Sequence, residues 1–472
     1  MKHFLGITLT ALIASVSANL SAADVATRGD GTVWTLQKLA AEPGMGVEQR
    51  GDTFTLANTL VIAHGDGLRL TPGTVVRMGQ SVSLQVEGRA EFDMPAQGRV
   101  LFTRSADGVV PGVVMLESEE ETTTVRNVDF EYVGLKNFSP SGLRVDSCTF
   151  RRHAASSGNG SSALQLGVNG AAFTVTNCIF ERNERAAIGG AANYSNPLTV
   201  ENCQFLYNGT SDRQYPQLNL TAASQVTIRN CVVIGDPTKT RVGGIVVADL
   251  LDMVPDARLL VEGCVVKDAR FGIAVYSGQT AELRNNVLID NNAETNPNNG
   301  GSGINIYDTT GRQHTTMSGN VIAGCLWGVT VVATKPGTVA NLGRIDVDPM
   351  DSEYNVGRNV FYGNGNNGAV YDLYNNSANT VYAQNNFWLT AATFGTDGID
   401  SCIVDKNDNA ALGEVVYRLP GGHTPVASAG AIPRLPASLS AVYNLRGVRT
   451  DALRPGLNIV RENSGITRKV MK

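Results

Sequence analysis

The chain has 472 residues, 17% of them charged against roughly 25% in an average soluble domain, and 51 of them glycine. Its formal net charge is -5, and no Lys/Arg stripe is interleaved with aromatic residues, which sets aside nucleic acid and an anionic membrane surface as partners.

From the N-terminus, Met1-Lys2-His3 carries positive charge, Phe4 to Leu20 is apolar, and Ser21-Ala22-Ala23 supplies small residues. That order reads as a signal peptide over 1–23, cut after Ala23 or after Ala18. No later apolar run approaches the roughly 20 residues needed to cross a bilayer. The mature chain is therefore expected to be soluble, and secreted or held at the outer cell surface. Short alternating strands begin at Thr59–Ile62, Leu68–Arg77 and Leu84–Gly88, and residues 24–55 are expected to cover the end of the unit that these strands open.

Further along, a phrase recurs. It reads Val-Asp-Ser-Cys148-Thr-Phe150, Val-Thr-Asn-Cys178-Ile-Phe180, Val-Glu-Asn-Cys203-Gln-Phe205, Ile-Arg-Asn-Cys231-Val-Val233 and Val-Glu-Gly-Cys264-Val-Val266. Val128, Asn286, Asn320, Asn359 and Asn386 occupy the Cys position in further copies, and the ten anchors are spaced 20 to 39 residues apart. Apolar residues alternate on either side of a break at Asn, which tolerates the left-handed backbone conformation and can bend the chain between two short strands. A third strand shows in Gly244–Val247, Gly272–Tyr276, Gly303–Tyr307 and Gly328–Val332. Three short strands per coil predict an all-β solenoid, a parallel β-helix over 56–420 of ten to twelve coils, right-handed by the twist and crossover preferences of strands. Cys148, Cys178, Cys203, Cys231 and Cys264 are expected to stack inside as small buried residues, with disulfides as the sharper alternative for an exported chain. Asn183, Asn208, Asn291 and Asn364, each five residues past an anchor, are expected to form an amide ladder along a turn.

The Gly-Ile-x-Val and Asn-Cys-x-Phe phrases, with Asn385-Asn386-Phe387-Trp388 toward the end, resemble the pectate-lyase-like superfamily of right-handed β-helix proteins over roughly 55–420. The resemblance implies fold rather than activity, because lyases, hydrolases, epimerases and adhesins share it. After a linker over 421–440, the segments Tyr443-Asn-Leu-Arg-Gly447, Gly456-Leu-Asn-Ile-Val460 and Arg468-Lys-Val470 resemble the C-terminal sorting domain of secreted Bacteroidetes proteins. That resemblance implies a small β-unit over 441–472 that engages export machinery.

No metal-binding Cys/His cluster, phosphate-cradling Gly-rich loop or nucleophile motif is present. The position four past each anchor holds Arg152, Arg182, Tyr207, Gly235, Asp268, Asp290, Gly324 and Gly363. Asp268 and Asp290 are the adjacent carboxylates there, the sole material for calcium, which belongs only to a lyase reading. Arg151, Arg152 and His153 fall one coil from Arg182, as a solvated surface patch or a groove for acidic sugar. Tyr207, Tyr276, Tyr307 and Tyr362 stack on sugar rings or flank turns. Arg151, Arg152, His153, Arg182, Asp268 and Asp290 are thus the candidate site residues, with no cofactor evident. The reading is a monomeric rod that binds a polysaccharide or surface glycan, or serves structurally, without catalysis. The alternative is a lyase or glycoside hydrolase acting on acidic polysaccharide.

Overall fold

The computed structural model describes residues 24–420, apart from 119–121, 155–161, 168–171, 191–196, 250–251, 368 and 391–397, together with the backbone of four strands between 439 and 471. Residues 1–23, read from the sequence as a signal peptide, and nearly all of 421–440, read as a linker, lie outside these residues.

Strands of three to five residues dominate, and three sheets carry 14 strands each, parallel throughout except for Val47–Arg50, which opens the third of them antiparallel to Thr53–Leu56. Every coil visits them in the same order. We number them sheet 1 (Val25–Ala26 to Ile403–Val404), sheet 2 (Val33–Trp34 to Val415–Val416) and sheet 3 (Val47–Arg50 to Phe387–Trp388). At about 4.8 Å per coil the stack is roughly 60 Å long. Two to four more coils are present than the repeated phrase indicated, because the first ones turn without its Asn. Residues 25–56 supply a strand to each sheet: Val25–Ala26 pairs with Leu60–Val61, Val33–Trp34 with Gly67–Leu68, and Thr53–Leu56 with Val75–Met78. A helix at Leu36–Ala41, capped by the Thr35 hydroxyl accepting from the Lys38 N–H at 3.3 Å, adds buried Leu36 and Leu39 to the same core as Phe54. Four donors, the N–H groups of Gly29, Gly31 and Thr32 and the Trp34 indole, converge on Asp66 at 2.9 to 3.2 Å and brace this end.

The bend between sheets 2 and 3 is a single residue in the left-handed region. Asn177, Asn202 and Asn230 have φ of 55°, 55° and 51°. Gly263 takes the same role at 64°, where an added Cβ would come within 2.8 Å of Asn230 Oδ1. From Asn127 to Gly319 this bend keeps its one-residue length and the anchors stay in register, whereas the connection from Val339–Gly343 to Val360–Tyr362 is longer. Phe130, Phe150, Phe180 and Phe205 pair in succession two residues later. With Phe102 their rings form one stack, with centroids 5.4, 4.7, 4.8 and 5.0 Å apart. Each contributes about 1.5–3 kcal/mol by burial.

All seven cysteines are free and buried, so the disulfide alternative is not realised. The Cys148 N–H donates to Cys178 Sγ at 3.4 Å, and the Cys178 N–H to Cys203 Sγ at 3.5 Å. The thiols donate in turn to strand carbonyls, as from Cys178 to Thr176 O at 3.1 Å. Beyond Cys264 the column continues as amides: Asn286 Nδ2 donates to Asn320 Oδ1, Asn320 to Asn359 and Asn359 to Asn386, at 3.0, 2.9 and 2.9 Å.

The expected turn ladder is present, and buried. Asn183 Nδ2 donates to Asn208 Oδ1 at 2.7 Å, and Asn208 Nδ2 to Gln217 Oε1 at 2.9 Å. Gln217 stands in for the Asn that the next coil lacks. Farther along, Asn364 Nδ2 donates to Asp372 Oδ1 at 2.9 Å.

The C-terminal unit is a four-stranded antiparallel sheet in the order Arg449–Thr450, Leu439–Tyr443, Leu457–Glu462, Thr467–Met471.

Candidate functional site

The predicted site residues do not converge. Arg151 and Arg152 both reach Glu131, at 3.3 and 2.9 Å. Arg182 pairs with Glu181 and lies over the Tyr207 ring, 5.2 Å from its centroid. Asp268 and Asp290 are three and four coils farther on, about 14 Å or more along the axis from Arg182. The position they share is a turn position: Arg152, Arg182, Tyr207, Asp268 and Asp290 have φ of 57°, 50°, 58°, 56° and 53°. Lys267 Nζ sits between the two carboxylates, 3.1 Å from Asp268 Oδ1 and 3.2 Å from Asp290 Oδ2, its side chain 12% exposed. Burial alone would lower the Lys267 ammonium, and the two carboxylates outweigh it and hold its pKa above the usual value. A cation of the chain already fills this place, so the pair does not suit calcium, which takes six to eight oxygens. Among the described residues no three His, Cys, Asp or Glu side chains come together as a metal site.

His153 departs most from expectation. Instead of joining Arg151 and Arg152 at the surface, it is 1% exposed. Its ring lies against the outward side of Gly134 in sheet 1, where a Cβ would come within 2.8 Å of Nε2. Neither ring nitrogen has a hydrogen-bond partner. Burial, with Lys136 and Arg185 nearby, pushes its pKa down to about 4 and keeps the imidazole neutral.

The outer face of sheet 1 is where chemistry gathers. In register across successive coils it presents Lys136, Gln165, Gly189 and Asn219, and farther on Ala274, Asn305, Thr330 and Tyr374. Thr330 Oγ1 donates to Asn305 Oδ1 at 2.9 Å. Half-buried Trp327 has ring centroids 4.4 Å from Tyr371 and 5.1 Å from Tyr374, and its indole N–H is fixed on Pro297 O at 2.9 Å. Toward the other end of the same strands Tyr276 and Tyr307 pair at 5.5 Å. Of the tyrosines singled out in the sequence, these two join this face, while Tyr207 and Tyr362 stand on turns and strand ends of sheet 3. Lys136, Trp327, Tyr371 and Tyr374 were not picked out. The available signal was register: Trp327 opens the strand Trp327–Ala333, and Tyr371 precedes Leu373–Asn376 by two.

Residues 111–288 match the family model described as the right handed beta helix region. The rod is a right-handed parallel β-helix. This β-helix is similar to a crystal structure of the periplasmic alginate epimerase AlgG, at 12% identity and a TM-score of 0.44, over 84% of this chain and 85% of that one. Two structures of mutants of that enzyme match over the same shares, at 12% identity and TM-score 0.47, and at 11% and 0.45. No curated protein matches the chain. No helix among the described residues is long and apolar enough to cross a membrane.

Proposed function

We propose that this β-helix is an exported glycan-binding rod that binds without turnover, through the outer face of sheet 1. The observation that carries the reading is the cluster of Trp327, Tyr371 and Tyr374 beside the Asn305 and Thr330 column. Flat aromatic faces receive the apolar faces of sugar rings, and neighbouring amides and hydroxyls meet their hydroxyl groups. The six residues considered for catalysis are ion-paired on turns or buried apart from one another, which supports binding over chemistry. Export rests on the N-terminal segment and the C-terminal sorting resemblance. Deleting Ala441 to Lys472 should retain the protein in the periplasm with the rod folded.

A glycan array followed by titration of the best ligand tests the binding claim. Trp327→Ala and Tyr374→Ala should each weaken binding, and unchanged affinity in both would remove it. One observation favours the lyase alternative: the His153 ring lies against the outer side of sheet 1 with Lys136 and Arg185 nearby, cations able to hold a uronate carboxylate. Unsaturated product from a uronate polymer, lost in His153→Gln, would establish that reading instead.

A further inference from the structure

We propose that residues 421–438 dock as an extended strap along the outer face of sheet 3 and tie the C-terminal β-unit to the side of the rod.

The outer face of sheet 3 changes character along the axis. In the early coils its outward positions hold Asp129 and Glu131, then Thr149 and Arg151. From the coil of Val232 onward the same positions are apolar, and Val232, Val265, Val287, Val321, Val360 and Phe387 follow one another in register. Two residues later, Ile234, Ile289 and Ala323 share the second outward position with Lys267. These strands read as continuous apolar runs, as in Val232–Ile234 and Val287–Ile289, which is the pattern of strands covered on both faces. Val265, Val287 and Ile289 are only 3%, 2% and 5% exposed, and with Ala323 they form an apolar cluster separate from the core inside the rod.

The stripe is two outward residues wide and, at roughly 4.8 Å per strand, about 24 Å long from Val232 to Phe387. An area on the order of 250 Å² is well short of the ~800 Å² per partner of a standard protein interface, so the stripe is shaped for one extended chain.

The polypeptide leaves the rod beside it. The last strand of sheet 2, Val415–Val416, pairs with Val381–Tyr382, and Gln384 Nε2 donates to Arg418 O at 3.0 Å, next to the Asn385 bend that leads into Phe387–Trp388. The described part of the rod ends two residues on, at Pro420. Residues 421–438 then hold Val426, Ile432 and Leu435 among Pro425, Pro433 and Pro436, with Arg434 as their one Lys, Arg, Asp or Glu. Proline favours the extended polyproline form, which makes no ladder hydrogen bonds and can lie across side chains. At about 3.1 Å per residue the segment spans roughly 55 Å, ample to pass the Val265 coil, which lies about 19 Å from Phe387. Lys267 with Asp268 and Asp290 leaves one net negative charge within the stripe, and Arg434 matches it.

Arg434 is also the one trypsin site between Arg418 and Arg446, which makes the strap testable in the full-length protein. Cleavage after Arg434 should be slow in native protein. It should be about tenfold faster in Val426→Ser/Ile432→Ser, which alters only the strap, and in Val287→Thr/Ile289→Thr, which alters only the stripe, because cleavage follows the population of the undocked state. The strap variant leaves the rod untouched and should keep the wild-type melting temperature; if the stripe variant melts lower, the strap variant decides alone. Wild-type protein cut at Arg434 as fast as a free peptide of residues 421–438, or equal rates in wild type and the strap variant, would overturn the proposal. So would a concentration-dependent dimer in sedimentation that Val287→Thr/Ile289→Thr abolishes, since a second copy would then cover the stripe.

Discussion

The backbone N–H of Cys264 donates to Oδ1 of Asn286 at 2.9 Å, and at this contact the inner column of the rod passes from thiols to amides without a change of register. On one side each residue is a small buried apolar group with a weak S–H donor. On the other, Asn286, Asn320 and Asn359 each divide their side-chain N–H groups between main-chain carbonyls and the amide of the next coil, so part of their hydrogen bonding is lost when that amide goes.

The two halves of the column should therefore respond differently to truncation. Asn320→Leu takes the Asn320 Oδ1 acceptor from the Asn286 backbone N–H and from one of the Asn286 side-chain N–H groups, and takes from the Leu283 carbonyl the Asn320 Nδ2 donor at 2.8 Å. The expected loss is about 2–5 kcal/mol, from buried polar groups left unpaired at roughly 1–3 kcal/mol each. Cys203→Ala should cost about 1 kcal/mol, the removal of one small buried group. Urea unfolding of the two variants checks the contrast, and equal losses would contradict it.

Phe150 lies between Phe130 and Phe180, at 4.7 and 4.8 Å, and is fully buried. Phe150→Ala should destabilise by about 3–5 kcal/mol and Phe150→Leu by less, because Leu refills part of the cavity. Thermal unfolding followed by circular dichroism should rank wild type, Leu, then Ala.

Two buried groups should give opposite pH slopes. Burial pushes Asp372 up to about 7 from 3.8, against hydrogen bonds from Thr390 and Asn364 that lower it. Its contribution to stability is whole below about pH 4 and is lost as pH rises through about 7. His153, lowered to about 4 from 6.5, contributes fully above pH 6.5 and loses that contribution as pH falls through about 4. Between these limits Asp372→Asn should make the melting temperature rise more steeply with pH than in the wild type, and His153→Gln less steeply. Parallel curves for all three proteins would contradict both assignments.

Seven free, buried thiols predict slow modification. Native protein should react negligibly with a thiol reagent over minutes, and protein in denaturant should react at all seven positions counted in the sequence. Rapid labelling of any cysteine in the native state would show that the column opens locally.

Residue order alone determined which side chains point inward. A one-residue bend at Asn177, Asn202 and Asn230, followed by strict alternation, leaves no freedom in the phase of Cys178, Cys203 and Cys231, so the inner column and the strand on each side of it were legible in one dimension. The turn ladder at Asn183 and Asn208 followed from the same constancy. What lies outside the rod was decided by the tertiary structure. The connections from sheet 3 to sheet 1 vary in length, so sequence spacing does not say which outward residues become neighbours. That is why Lys267 between Asp268 and Asp290 and Trp327 against Tyr371 and Tyr374 emerged only once the coils were stacked. It is also why His153, two residues from a surface arginine, proved to be buried. Its neighbour Arg152 takes the left-handed turn that reverses the chain, and the next residue enters the ladder beneath Asn183.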